Sequence, residues 1–283
     1  MIGSRVVEAL RARGDEVTVL SRRGEGPERW ERPQQEPPAP EGLSGRDGVV
    51  HLLGENVAQR WSDSAKREIR ESRVLGTRQL VEGLRRLPDA ERPQVLVSMS
   101  AIGLYGARGS EPVDESESAG DDFLAGVVEA WEAEAQKAEA LGIRVARART
   151  GVVIASEGGA LEKMLPPFKL GVGGPVAGGK QYVPWVHLDD VAGALLFLLE
   201  RGDGAYNVTA PEPVTNRELS KALGRVLHRP AVAPVPALAV KVLYGEMGRI
   251  VTTGVRAVPK RLISEGYSFE RPNLDDALRA AVA

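Results

Sequence analysis

Strands and helices of crossover length alternate along most of this chain, and that alternation points to a parallel sheet covered on both faces. Val6, Val7 and Leu10 fall at helical spacing and Gly14 stops that helix, after which Val17 to Leu20 reads as a short β-branched strand ending at Ser21-Arg22-Arg23. Residues 27 to 40 hold five prolines and read as an irregular loop with at most one edge strand. Gly48 to Leu53 is a buried strand, Ser64 to Leu87 a helix, Gln94 to Ser98 a strand, Asp122 to Leu141 a helix and Arg144 to Ile154 a strand. Asp189 or Asp190 can cap a helix through Glu200, and Thr215-Asn216-Arg217-Glu218 is a capping box opening a helix to about Leu227. The expected fold class is α/β, a doubly wound, mostly parallel sheet. A β/α barrel is the main competitor, but the irregular stretch from 155 to 187 spoils its count of eight strand and helix pairs. After Pro230 the text changes to a proline-punctuated AVAPVPALAV, which places a boundary between residues 1–232 and a small, mainly helical region at 233–283.

Composition narrows the function. The chain has no cysteine, which removes thiol nucleophiles and thiolate zinc sites, and its three histidines form no HxxxH or HExxH pair, so no metal is expected. Net charge is −2 with acids and bases interleaved, so there is no basic stripe for nucleic acid. The longest apolar runs reach about half of the ~20 residues that span a bilayer, and the N-terminus has no signal-peptide pattern. The expectation is a cytoplasmic protein, with its oligomeric state left open.

A dinucleotide site needs a glycine turn at the head of the first helix, where backbone amides meet pyrophosphate. Only Gly3 stands there. Arg22 follows 19 positions later, close to the ~20 at which an acid reads a ribose hydroxyl or an arginine accommodates a 2′-phosphate. Ser21-Arg22-Arg23 therefore reads either as a phosphate clamp selecting NADP over NAD or as a solvated basic strand end. The segment from Gly174 to Lys180 fits GxxxxGK, but Gln181 replaces the magnesium-binding hydroxyl and no strand precedes it, so it reads as a surface loop.

HLLGENVAQRWS (51–62), SRVLGTRQLVE (72–82), SMSAIGLYG (98–106), RTGVVIASEGGALEKMLPPFKLGVGGP (149–175), PWVHLDD (184–190) and GVRAVPKRLISEGY (254–267) together resemble the short-chain dehydrogenase/reductase superfamily. Within it, the chain is similar to the atypical sugar-nucleotide-epimerase-like (NAD-dependent epimerase/dehydratase) branch, over nearly its whole length and including that branch's C-terminal extension. The resemblance implies a Rossmann-like fold, NADP as cofactor and a small hydroxyl or carbonyl substrate, such as a nucleotide sugar. It implies that Leu53 and Gly54 pass beside the cofactor, that Ser100 hydrogen-bonds the substrate, and that Gly151 and Val152 flank the nicotinamide pocket. His187, Asp189 and Asp190 match a segment before a helix, with capping expected ahead of substrate contact.

Two departures qualify this. Relatives use a Tyr-x-x-x-Lys pair, whose ammonium lowers the tyrosine pKa for proton transfer. Here no tyrosine is followed four residues later by lysine, and the best alignment puts Val127 and Trp131 at the paired positions. Ser100 with Tyr105 is the remaining catalytic candidate set, and the alternative is a non-catalytic NADPH sensor or interaction module. The chain also begins at the last glycine of the expected turn, so the natural protein is expected to begin upstream, and the 283-residue chain to fold poorly and bind dinucleotide weakly.

Overall fold

The computed structural model describes residues 1–282. Its main sheet has four parallel strands in the order β1 (Gly48–His51), β2 (Val95–Ala101), β4 (Arg144–Thr150) and β8 (Gly204–Val208). Period-2 alternation assigns the two faces. Val95 and Val97 of β2 with Ala146 and Ala148 of β4 pack against Val6 of α1 (Ile2–Ala12) and Leu195 and Leu198 of α5 (Leu188–Arg201). Leu96 and Val145 point the other way, into Leu80 and Leu84 of α2 (Asp63–Arg86) and Ala135 of α3 (Phe123–Gln136). Helices on both faces of a parallel sheet make the architecture doubly wound, as the alternation implies.

Short pairs frame this core. β3 (Pro112–Val113) pairs in parallel with β10 (Arg256–Ala257), β5 (Val152–Ile154) with β7 (Trp185–His187), and β6 (Tyr182–Val183) runs antiparallel to β9 (Val214–Thr215). α4 (Gly159–Lys169) and α6 (Asn216–Leu227) form a third apolar cluster with α10 (Leu274–Val282), through Leu161, Leu223 and Leu278. α7 (Ala237–Tyr244), α8 (Gly248–Thr252) and α9 (Lys260–Ser264) complete the helical C-terminal region.

Several boundaries differ from the sequence expectation. Residues 16–20 run without helix or ladder, and Val19 is 40% exposed. The expected strand Val17 to Leu20 has no neighbour among the described residues to supply its hydrogen bonds, and β1 is likewise the outer strand of the sheet. The expected strand 144–154 breaks at Gly151, where the chain leaves β8 and takes up β7 instead. A Cβ on Gly151 would stand 2.1 Å from the Pro184 carbonyl oxygen, so only glycine permits the exchange. The expected helix 122–141 finishes as a 3-10 turn over Lys137–Leu141, and the stretch from 155 to 187 holds α4 despite Pro166 and Pro167. The capping box at Thr215 forms as expected.

Candidate cofactor cleft and buried polar network

Gly3 lies in the first turn of α1, whose N-terminal N–H groups have no intrahelical partner and receive no side-chain cap. An added Cβ there would sit 3.6 Å from Leu52, so the head of α1 rests on the chain leaving β1. The next residues, Leu53 and Gly54, are clamped by α2. A Cβ on Gly76 would come within 2.3 Å of Leu53 Cδ2, so glycine is what lets Leu53 reach the helix. Ser72 Oγ accepts the Glu55 N–H at 2.9 Å, and buried His51 Nε2 lies 2.9 Å from Thr77 Oγ1. Burial alone lowers the His51 pKa to about 4, so the imidazole is neutral near pH 7. The segments HLLG and SRVLGT, read separately in the sequence, are thus two halves of one packed turn.

Ser21, Arg22 and Arg23 line a surface recess. Both arginines are exposed, and neither has a salt-bridge or hydrogen-bond partner among the described residues. The free amides of α1 and two uncommitted guanidinium groups suit the pyrophosphate and 2′-phosphate of a dinucleotide, so the donor set fits NADP.

Ser100 and Tyr105 occupy a different environment. Even-numbered residues of β2 and odd-numbered residues of β4 face α3, which brings Ser100, Arg147 and Arg149 to Glu132. Ser100 Oγ donates to Glu132 Oε1 at 2.6 Å, and Arg149 grips the same carboxylate with Nε at 2.8 Å and Nη2 at 3.0 Å. Arg149 Nη1 donates to the Tyr105 hydroxyl at 3.0 Å, and that hydroxyl donates to Asn207 Oδ1 at 2.7 Å. Burial pushes the Tyr105 phenol above its ordinary pKa, with the Arg149 charge acting in the opposite direction. The structure joins the two sequence candidates through Arg149 and Glu132, but both are buried with their protons already committed within the protein. Val127 and Trp131 are buried on α3 as packing residues.

Of the capping candidates His187, Asp189 and Asp190, the first takes the role. His187, not Asp189 or Asp190, is the N-cap of α5, its Nδ1 accepting the Asp189 N–H at 3.2 Å. Burial lowers the His187 pKa, while Asp189 acts against that shift. Asp189 bonds Arg5 at 2.7 Å, tying α1 to α5. Asp190 accepts the N–H groups of Glu270 and Arg271 at 2.7 and 2.9 Å and so anchors the C-terminal region. Gly151 and Val152 spend their N–H groups on Val208 and Pro184.

Glu132, Arg149, Asn207 and Arg73 were not singled out from the sequence. Arginines at 147 and 149 in an otherwise Val/Ala-rich strand did carry a signal, because two charges on one face of a buried strand require an acid opposite.

Among the described residues no group of three or more potential ligands could hold a metal, and no helix is long and apolar enough to cross a membrane.

Residues 1–209 match the model of the NAD dependent epimerase/dehydratase family, and residues 235–281 match a domain of unknown function, DUF1731. The chain is 38% identical to the chloroplastic epimerase family protein SDR39U1 homolog of Arabidopsis thaliana, covering 99% of this chain and 83% of that protein. It is 34% identical to the epimerase family protein YfhF of Bacillus subtilis, over 100% and 95% of the two chains. Among solved structures, human epimerase family protein SDR39U1 (isoform 2), crystallised with NADPH, superposes with a TM-score of 0.89 at 33% identity, covering 100% of this chain and 96% of that one. The nucleoside-diphosphate sugar epimerase of Corynebacterium glutamicum gives 0.77 at 31% identity, over 100% of this chain and 56% of that one. With a family model over most of its length and relatives matched nearly end to end, the chain belongs to the NAD dependent epimerase/dehydratase family.

Proposed function

We propose that the chain binds NADP(H) and acts, as an epimerase- or reductase-like protein, on a small hydroxyl or carbonyl compound. The observation that carries the cofactor choice is the pair Arg22 and Arg23, exposed and without an acid partner among the described residues, beside Ser21 in a surface recess. The NADPH held by the human relative supports the same choice. Gly3 and the first-turn amides of α1 would hold the pyrophosphate, with Leu53 and Gly54 beneath the cofactor and Gly151 and Val152 along its nicotinamide end. When bound, NADP(H) supplies or accepts hydride. The chain's own residues then have to orient the substrate and move a proton, and Ser100, backed by the Glu132 carboxylate at 2.6 Å, is the group proposed for that. Arg149, itself bonded to the Tyr105 hydroxyl, holds Glu132 in place, and His187 fixes the start of α5 beside the expected substrate side.

A second reading has a specific observation behind it. The hydroxyls of Ser100 and Tyr105 are buried and engaged, and Val127 and Trp131 cannot exchange a proton. General acid and base groups contribute about 10² to 10⁴-fold, so a chain without the usual pair is either slow or a non-catalytic NADPH sensor or interaction module. Single-turnover absorbance of protein-bound NADPH across a panel of sugars, nucleotide sugars and small carbonyl compounds separates the two. The enzyme reading expects a slow decay with one class, reduced by Ser100→Ala. No absorbance change with any class would favour the sensor.

A further inference from the structure

Several partly enclosed arginines spend their guanidinium groups on two or more acceptors within the protein. Arg149 holds Glu132, Arg144 bonds carbonyls of Leu198, Leu199, Glu200 and Gly202, and Arg261 bonds Glu265 and the carbonyls of Asp203 and Ala205. Arg73, half-buried on α2, makes one hydrogen bond, from Nη1 to the Ile69 carbonyl at 3.1 Å, and no carboxylate lies within salt-bridge distance among the described residues. Its guanidinium lies over the Trp131 ring, 5.3 Å from the centroid, and 3.1 Å from where a Cβ on Gly54 would stand. The indole N–H of Trp131 is itself buried without an acceptor among the described residues. Burial lowers the Arg73 pKa and the more distant Glu55 raises it, which is the signature of a desolvated cation short of a counter-charge. A guanidinium with a single backbone acceptor and an indole N–H with none are thus stacked on each other at the Gly54 turn, and Gly3, in the uncapped first turn of α1, packs near Leu52, two residues before Gly54. A cation held this way is a cost to the fold unless a ligand completes it.

We propose that Arg73, stacked on Trp131, is an anion subsite of the cleft that takes a phosphate or carboxylate oxygen at the Gly54 turn. The inference rests on the dinucleotide reading above and adds a charge requirement to it: the anion is either the pyrophosphate of the cofactor or an acidic group on the substrate.

The test uses Arg73→Met and Arg73→Lys in the full chain, with three readouts. Calorimetry with NADPH and NADH covers the first source. The pyrophosphate is common to both cofactors, so Arg73→Met would weaken both by roughly tenfold or more and leave their ratio unchanged, whereas failure of the Arg22 and Arg23 reading would appear in the ratio alone. Titrating inorganic phosphate into NADPH-saturated protein covers the second, with tryptophan fluorescence as the readout and chloride at matched ionic strength as the control. A substrate-side anion site gives a phosphate-dependent change that Trp131→Phe and Arg73→Met remove and Arg73→Lys partly keeps. Thermal melting without ligand guards against a merely structural role: because the charge is unpaired, Arg73→Met should melt no lower than the parent. Unchanged affinity for NADPH, NADH and phosphate in Arg73→Met, or a melting temperature lowered in the ligand-free variant, would overturn the proposal.

Discussion

Two sets of arginines do opposite things. Arg147 and Arg149 are almost fully enclosed, and every strong contact they make leads to Glu132, Tyr105 or a backbone carbonyl. Arg22 and Arg23 line a surface recess with Ser21, Arg73 lies at the Gly54 turn, and none of the three has a salt-bridge partner among the described residues. A charge that is buried and paired specifies the fold, and its removal leaves the partner stranded. A charge that is left without an acid partner contributes little to folding and is available to a ligand. The expected catalytic pair, Ser100 and Tyr105, belongs by its hydrogen bonds to the first set.

The largest expected effect breaks the enclosed set. Glu132→Ala strands Arg149 and Arg147 and should cost about 3–5 kcal/mol in denaturant unfolding, a large share of an ordinary domain's ~5–15 kcal/mol. Replacing the pair together, Glu132→Leu with Arg149→Met, should recover most of that loss; a single-variant loss below about 1 kcal/mol would show that the network does not hold the fold.

Next comes pH. His51 has a folded pKa of about 4, below the 6.5 of the free side chain, so the unfolded chain takes up the proton first as pH falls. Its contribution is complete above pH 6.5 and declines through the window from 6.5 to about 4, by roughly 3 kcal/mol at the lower end. Unfolding curves over that range should flatten in His51→Gln, and an identical slope in the variant would remove His51 as the cause.

Gly76→Ala tests the turn that carries Gly54. The new methyl would meet Leu53 Cδ2 at 2.3 Å, and overpacking of this kind costs about 1–3 kcal/mol. A melting temperature equal to that of the parent would mean that Leu53 moves aside freely. The smallest effect belongs to the open set: Arg22→Ala with Arg23→Ala should change ligand-free stability by less than about 0.5 kcal/mol, as surface substitutions usually do.

The helix and strand alternation was legible because both faces of the sheet are covered and strands such as Gly48–His51 and Val95–Ala101 read as mostly apolar runs, and the capping box at Thr215 was legible because its chemistry is local. The strand at 17–20 misled, since β propensity cannot report whether a neighbouring strand is there to pair with. The break at Gly151 depends on a carbonyl of Pro184, more than thirty residues away, and no local pattern signals it. Spacing from Gly3 singled out Arg22 and Arg23 as candidates, but no spacing pointed to Glu132, because an acid on an exposed-looking helix reads as solvent-facing until the opposing strand is known. The same limit explains Tyr105: position near Ser100 in sequence suggested a shared site, whereas burial decided that its proton goes to Asn207.

The central claim is that the unpaired cations Arg22 and Arg23 select a phosphorylated dinucleotide. It is tested most directly by calorimetric titration of the full chain with NADPH and with NADH, repeated on Arg22→Ala with Arg23→Ala. Charge-assisted hydrogen bonds to phosphate are worth about 1.5 to 3 kcal/mol each, so NADPH should bind at least about tenfold tighter than NADH, and the double variant should lose that preference while keeping its NADH affinity. Equal affinity of the parent for the two cofactors, or a preference that survives in the double variant, would contradict the account.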